Sequence, residues 1–232
     1  MKVRRFAAIQ LMLLVAVYAF HLPEASAIGL GFYGDVNIQD GSGDHSAEPD
    51  DYYNGRDEYR FETDDDNRSI GFVLDTALAR NVPFNYRLNL GYGEWKWKNE
   101  SGGKLELDTY TMDHTFGFRL YQDRLIRLWI GPQLRLSVSE GDFIDSSGVK
   151  DRDYEYSYVG IGVAPVIGVN FNPGDHITAS LTIGYRFMRY YGDDDYKGGP
   201  DADYDYYESK YENDEKQVFM NLAFFFRLND SF

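Results

Sequence analysis

The 232-residue sequence predicts an all-β fold, an eight-stranded antiparallel up-and-down barrel that spans a membrane. Three observations predict it. Apolar and polar residues alternate over eight segments, which is the period of a β-strand. Several segments exceed the mean soluble strand of about 5–6 residues and reach the roughly 9–11 residues that a tilted strand needs to cross a bilayer. Short turns alternate along the chain with longer connections, as in membrane barrels.

The chain begins with an export signal, which we exclude from the barrel. A basic start at Lys2, Arg4 and Arg5 precedes an apolar run from Phe6 to Phe20, and the small residues at 25–27 form a cleavage site. The run is too short for a spanning helix. The sequence therefore predicts a signal peptide over 1–27 and a mature barrel over 28–232.

The first four segments each place large apolar residues on one face. They are Ile28–Gln39 with Leu30, Phe32 and Val36; Ser69–Ala79 with Ile70, Phe72 and Leu74; Phe84–Lys98 with Tyr86, Leu88 and Leu90; and Leu105–Tyr121 with Tyr110, Met112, Phe116 and Phe118. Each segment repeats its apolar residues every second position, so each is a strand rather than a helix.

The last four segments follow the same rule. They are Ile126–Ser139 with Leu128, Ile130, Leu134 and Leu136; Tyr154–Phe171 with Val159, Ile161, Val163 and Ile167; His176–Tyr190 with Leu181, Ile183, Tyr185 and Phe187; and residues 216–232 with Met220, Leu222, Phe224 and Phe226. The opposite faces are small or polar, which suits the narrow interior of an eight-stranded barrel better than a soluble β-sandwich.

The composition excludes several classes of protein. The chain has no cysteine, which excludes disulfides and thiol-based sites. Its net charge of −15 argues against nucleic-acid binding. The mean hydropathy of −0.49 is compatible with a membrane barrel, because only alternate residues face lipid and the connections are polar.

The connections predict how the barrel is oriented. Three are tight turns, at 80–83, 122–125 and 172–175, and four are longer, at 40–66, 99–103, 140–153 and 191–215. In outer-membrane barrels the short turns are periplasmic and the long loops extracellular. We therefore expect extracellular loops at 40–66, 140–153 and 191–215, with both termini in the periplasm.

These features resemble the small eight-stranded outer-membrane β-barrels of Gram-negative bacteria, the type of the OmpA transmembrane domain and OmpX. The resemblance covers the mature chain and implies a monomer with outer-membrane lipid and lipopolysaccharide as its surroundings. It also implies that the terminal Phe232, with Leu228 and Phe226 at alternate positions before it, is an assembly signal for the barrel-assembly machinery.

Charged residues on the inner faces are the first candidate site. By alternation, Asp35, Asp113, Arg135 and Arg186 lie at middle height, Asp75 and Arg87 lie lower, and Arg119, Arg127 and Arg227 lie near the periplasmic mouth. A charge in a dry interior needs a partner. We expect ion pairs, with Asp113 and Arg135 as neighbours on hairpin-paired strands. The charges form either a salt-bridged plug or a conduit whose ion pairs can rearrange.

The acidic loops are the second candidate site. Three interpretations stay open: a solvated surface, adhesion or partner binding through interleaved tyrosines, and Ca²⁺ binding. Asp201, Asp203, Asp205 and Glu212 stand at positions 1, 3, 5 and 12 of an EF-hand-like spacing, but Tyr206 occupies the position that needs glycine. They are weak metal candidates, and no other cofactor is expected.

Aromatic residues and histidines complete the candidates. Tyr92, Trp95 and Trp97, with Tyr154, Tyr156 and Tyr158, are interpreted as an interfacial girdle, or else as a sugar-binding platform. Because Glu94 interrupts the alternation, we expect a bulge near Gly93. His114 falls on the lipid-facing side. The residue two positions later is Phe116, so the chain lacks the His-x-Ser spacing that would resemble a lipid A deacylase. No catalytic residue is therefore assigned.

The resulting functional hypothesis is an integral outer-membrane barrel with a structural or surface-interaction role through its acidic, tyrosine-rich loops. The alternative is a narrow small-solute or ion channel with a salt-bridged lumen. The third possibility is an outer-membrane enzyme that modifies lipid.

Overall fold

The computed structural model describes residues 28–47, 58–77, 82–98, 104–150, 154–196 and 209–228. These residues form eight strands. They are β1 Ile28–Ala47, β2 Glu58–Asp75, β3 Phe84–Lys98, β4 Lys104–Gln122, β5 Ile126–Ile144, β6 Tyr154–Phe171, β7 Ile177–Tyr196 and β8 Ser209–Leu228. In the described part of the chain no helix is long and apolar enough to cross a membrane.

The strands close into one barrel in sequence order. Every neighbouring pair is antiparallel, and β8 closes the ring on β1, from Ile28 opposite Leu228 to Ala47 opposite Ser209. Closure leaves no edge strand within the membrane, so the backbone groups there are satisfied by the neighbouring strands. The predicted fold class, an up-and-down eight-stranded barrel, is confirmed.

The outward side chains form an apolar belt around the barrel. On β4 the belt runs from Leu120, 58% exposed, to Tyr110, 53% exposed, and the next outward residue is Asp108. These ten residue steps, at about 3.3 Å each and a tilt of about 40°, span about 25 Å along the barrel axis. That is the height of the hydrocarbon region that a membrane barrel crosses.

The two ends of the barrel differ. At the short-turn end, which carries the turns at 123–125 and 172–176, the belt reaches almost to the turns. At the opposite, long-loop end the strands continue past the belt, and the ladder between β1 and β2 extends to Ser46 opposite Glu58. Charged outward residues such as Glu106 and Glu140 follow the belt there.

The predicted loops were therefore too long. Residues 40–47 and 58–66 extend β1 and β2, residues 140–144 extend β5, and residues 191–196 and 209–215 extend β7 and β8. In these extensions of β1, β2, β5, β7 and β8 neither face is predominantly apolar, so the alternation disappears from the sequence while the backbone ladder continues. At the other end β2 stops at Asp75, four residues before the expected end.

The expected bulge near Gly93 was wrong. The pairing of β3 with β2 and with β4 is regular through Gly93 and Glu94. Glu94 instead lies on the exposed outer face beyond the belt, where a charge is stable in water. A register shift occurs between Arg119 and Tyr121, where β4 pairs with β5.

Several sequence candidates lie outside the described residues. These are the candidate assembly residue Phe232 and the candidate cation ligands Asp201, Asp203 and Asp205. Glu212 lies on β8 with an exposed side chain. Within the described ranges no three histidine, aspartate or glutamate side chains are grouped so that they could hold a metal ion.

Candidate functional site in the barrel lumen

Arg135 forms the central ion-pair network of the lumen. It faces Asp113 directly across the β4–β5 ladder, and its Nη2 donates to Asp113 Oδ2 at 2.8 Å. The same Nη2 donates to Asp35 Oδ2 on β1 at 2.8 Å, so the guanidinium bridges opposite walls. All three side chains are at most 2% exposed. One cation thus holds two carboxylates that would otherwise repel each other in a buried site.

Arg186 lies in the same layer but makes no ion pair within 4 Å among the described residues. It was expected to be an ion-pair residue, and this expectation was wrong. Its guanidinium donates to three amide oxygens, those of Asn37 at 3.0 Å, Gln217 at 3.1 Å and Gln133 at 2.8 Å. Its Cζ also lies 3.9 Å from the centre of the Phe219 ring, a cation–π distance. Amide dipoles and an aromatic face replace the carboxylate here.

Arg87 organises a second layer nearer the short-turn end. Its Nε donates to Asp75 Oδ2 at 2.9 Å, and its two other nitrogens donate to Thr182 and Asn170 across the lumen, each at 3.1 Å. Its Cζ lies 4.9 Å from the Trp129 ring centre. Every guanidinium nitrogen therefore has a partner, and the layer connects β2, β3, β6 and β7.

Arg127 reinforces the short-turn end. Its Nη1 donates to the carbonyl of Ala77 at 2.7 Å, and its Nη2 donates to the carbonyl of Val82 at 3.3 Å. These contacts attach β5 to the residues that follow β2 and to those that precede β3. The alternation of the sequence predicts that Arg127 points inward. No sequence pattern predicts that its acceptors are backbone carbonyls.

An aromatic layer lies in the lumen near the long-loop end. Trp95 stacks on Tyr190 with 4.6 Å between ring centres, and Tyr158 meets Trp95 edge-on at 5.5 Å. Leu105, Leu107 and Met188 complete this buried cluster. Trp95 and Tyr158 were expected in an outward girdle. That expectation was wrong, because regular pairing through Gly93 keeps Trp95 on the inner face with Gly91.

Tyr33 shows why one inner glycine is required. A Cβ atom at Gly91 would lie too close to the Tyr33 hydroxyl and to Thr111 Oγ1, so both side chains would have to move. Tyr33 is only 4% exposed. Glycine at 91 therefore makes room for a tyrosine that crosses from β1 over the inner face of β2 to β3.

His114 lies on the outer side of β4 at mid-belt, as alternation predicts. It is only 7% exposed, because its neighbours cover it. The Tyr86 hydroxyl and His114 Nδ1 are hydrogen-bonded at 2.6 Å. This hydrogen bond satisfies the Tyr86 hydroxyl and one of the two ring nitrogens, which lowers the free-energy cost of placing a histidine beside lipid.

Outside the membrane-spanning segments, Asp145 organises the turn after β5. Its carboxylate accepts hydrogen bonds from the Ser147 hydroxyl at 2.6 Å and from the backbone N–H groups of Ser147 and Val149, each at 2.9 Å. The Ser147 bond, followed by the backbone donors, lowers the pKa of Asp145. Gly148 has a φ of +83°, a left-handed conformation that favours glycine.

Taken in order along the axis, three arginines bridge the lumen from wall to wall. Arg87 reaches Asn170, Arg135 reaches Asp35, and Arg186 reaches Asn37 and Gln133. The interior is filled by side chains, as eight-stranded barrels allow. An apolar outer belt around a polar, closed ring of strands defines an integral membrane β-barrel, with the architecture of the small eight-stranded outer-membrane barrels.

Comparison with known proteins gives structural neighbours only. No protein-family model matches the sequence, and no curated protein matches it. Among solved structures, OprG of Pseudomonas aeruginosa is 14% identical with a TM-score of 0.48, covering 88% of this chain and 97% of its own.

A major outer membrane protein from Thermus thermophilus is 10% identical with a TM-score of 0.48, covering 84% of this chain and 99% of its own. Ail of Yersinia pestis is 13% identical with a TM-score of 0.38, with the same coverage. Identities and TM-scores this low carry no function over to this chain.

Proposed function

We propose that this chain is a closed outer-membrane barrel that acts at the cell surface through the acidic portion beyond its apolar belt. The observation that carries the proposal is the asymmetry between the two ends. At the long-loop end the strands continue as a paired ladder, with Ala47 opposite Ser209 and Asp193 opposite Lys210. A backbone ladder presents the connecting loops on a fixed base, which lowers the entropy lost when they bind a partner.

The charge at this end favours a positively charged partner. Residues 191–215 contain ten aspartates and glutamates and only two lysines. Beyond the belt, Lys150 forms an ion pair with Asp142 at 2.6 Å, and Lys96 forms one with Glu94 at 3.1 Å. Glu106 and Asp108 lie close to these pairs and add further negative charge. Complementary charge of this kind speeds association and selects partners.

The bridged lumen supports a surface role over passage of solutes. A conduit requires the contacts of Arg87, Arg135 and Arg186 to open together. We therefore expect the purified barrel in planar bilayers to show no steady conductance, with or without Ca²⁺. A steady single-channel conductance that changes in an Asp113→Asn variant would overturn the closed lumen and favour the channel.

The proposed role requires the long-loop end to face outward. A peptide tag inserted at Gly198 should be labelled on intact cells, and the same tag at Gly174 should be labelled only after the outer membrane is permeabilised. The reverse pattern would contradict both the orientation and the surface role.

Partner chemistry can be tested with a defined cation. In nanodiscs of neutral phosphatidylcholine, a fluorescent decalysine peptide should bind the barrel, and added salt should weaken the binding. Changing Asp193, Asp194 and Asp195 to asparagine should reduce the affinity severalfold. As the control, changing Asp123 and Asp175 to asparagine, at the short-turn end, should leave the affinity unaltered. An equal loss in both variants would remove the long-loop end as the binding surface.

A further inference from the structure

One part of the inner wall holds buried polar atoms that no described residue satisfies. Asp35 Oδ1, Ser69 Oγ and both side-chain polar atoms of Asn221 have no hydrogen-bond partner. The three residues are 2%, 4% and 2% exposed. A buried polar atom without a partner destabilises a protein, because it has lost its hydrogen bonds to water. Three neighbouring residues in this state therefore point to a bound molecule.

The three residues are side by side. Ser69 on β2 and Asn221 on β8 are the two direct neighbours of Asp35 in the ladders on either side of β1. Direct partners in antiparallel strands have Cβ atoms about 4.5–5.5 Å apart. Gly93 follows Ser69 in the next ladder and adds no side chain to the inner face. We call this place the Asp35 recess.

Only one of the two carboxylate oxygens of Asp35 accepts hydrogen bonds from described residues. Its Oδ2 accepts from Arg135 Nη2 at 2.8 Å and from Asn37 Nδ2 at 3.3 Å. Its Oδ1 faces no protein donor among the described residues. Arg135 therefore holds Asp35 in place through one carboxylate oxygen, while the other oxygen is left without a donor from the described residues, and the polar atoms of the adjacent Ser69 and Asn221 are left without a partner.

We infer that the Asp35 recess is a binding site for ordered water. Water donates to Asp35 Oδ1, exchanges a hydrogen bond with the Ser69 hydroxyl, and accepts from the Asn221 amide while donating to its oxygen. A site of this kind, with several polar partners, is where buried water is found in proteins.

The chemistry of the recess selects water over a metal ion. A cation needs oxygen acceptors alone, whereas the Asn221 Nδ2 group and the Ser69 hydroxyl also need an acceptor. The charges of the layer already cancel, since Asp35 and Asp113 are matched by Arg135 and Arg186. An added cation would leave this buried layer with an uncompensated positive charge.

The recess lies between two other layers of the lumen. The aromatic layer of Trp95 and Tyr190 is on its long-loop side, and the layer organised by Arg87 is on its short-turn side. Water held between them exchanges with bulk solvent only when one layer opens. Its residence time is therefore long enough to be detected by magnetisation transfer from water to the protein.

The test is NMR on the ¹⁵N-labelled full barrel in nanodiscs. Water cross-peaks are expected at the Asn221 side-chain amide and at the backbone amide of Ser69. Asn221→Leu, which keeps the branched shape of the side chain but has no polar atom, should lower the Ser69 cross-peak at least about twofold, and Ser69→Ala should do the same at Asn221. The control Ser180→Ala removes a hydroxyl whose partner is Asn170, and it should leave both cross-peaks unchanged.

Absence of both cross-peaks in the wild-type barrel would overturn the inference, and this readout does not depend on whether a variant folds. Replacement of sodium by choline in the buffer tests the cation directly. An unchanged chemical shift of the Asp35 carboxyl carbon supports water. A shift that follows sodium would assign the recess to a cation and overturn the proposal.

Discussion

Arg135 and Arg186 are neighbours in one buried layer, yet they are stabilised in different ways. Arg135 is held by the carboxylates of Asp113 and Asp35, whereas Arg186 is held by three amide oxygens and the ring of Phe219. Removing the first cation leaves two buried charges without a partner. Removing the second breaks contacts with neutral acceptors only, although the layer then carries one more negative than positive charge. The comparison shows that the stability lost on removing a buried arginine depends on which groups then lose their partner, and not only on the charge of the arginine itself.

The largest effect is expected for Arg135→Ala. Loss of one partner from a buried ion pair destabilises a protein by about 3–5 kcal/mol, because the remaining charge is left in a site without water. Urea unfolding of the barrel refolded in lipid vesicles measures this loss. A change below that of Arg186→Ala would show that water enters the layer and solvates the two carboxylates.

A smaller effect is expected for Arg186→Ala, about 1–3 kcal/mol in the same assay, since amide oxygens of Asn37, Gln133 and Gln217 lose a donor but no direct carboxylate contact is broken. Arg186→Met, which keeps a side chain over Phe219, should recover part of this loss. Equal destabilisation by the two variants would assign the whole effect to hydrogen bonding.

The coupling within the Arg135 network is expected to be smaller still. In a double-mutant cycle, Asp113→Asn combined with Arg135→Gln should destabilise less than the two single changes added together, by roughly 0.5–3 kcal/mol. Asp113→Asn with Arg186→Gln serves as the comparison and should be closer to additive. Strict additivity of the first pair would mean that Asp113 and Arg135 act independently.

The smallest effect belongs to a carboxylate outside the membrane. Ser147→Ala should raise the pKa of Asp145 towards its ordinary value, because the hydroxyl that stabilises the carboxylate is lost. The lowered pKa stabilises the fold above the unfolded-state pKa, and this contribution disappears as the pH falls through the folded-state pKa. A ¹³C titration of the Asp145 carboxyl measures the change, and an unaltered midpoint would contradict the role of Ser147.

The sequence predicts the barrel well because the bilayer imposes a simple rule on every strand. Alternation identifies the inner face, and equal distance from a tight turn identifies Asp113 and Arg135 as neighbours. The rule ends where lipid ends. Beyond the belt β1 and β7 have no apolar face, so the continuation of β1 to Ala47 and of β7 to Tyr196 was missed.

Partners across the lumen are a different problem. Arg186 and Asn37 are 149 residues apart, and their contact depends on strand tilt and on which rotamers fit together. An arginine that binds amides has the same sequence pattern as one that binds carboxylates. The inward position of Trp95 was missed because an aromatic residue near a strand end suits both an interfacial belt and a lumen.

The two tryptophans in the lumen also provide an intrinsic fluorescence signal from inside the barrel. Trp95 and Trp129 are buried inside the lumen, 2% and 0% exposed, and are separated from lipid by the strands. Brominated lipids quench indoles that touch acyl chains, so they should leave the emission of these two residues unquenched. Water-soluble iodide should reach them only when a lumen layer opens. In a Trp97→Phe variant, whose emission comes from Trp95 and Trp129 alone, a fluorescence trace thus separates movements of the lumen from changes in the surrounding bilayer.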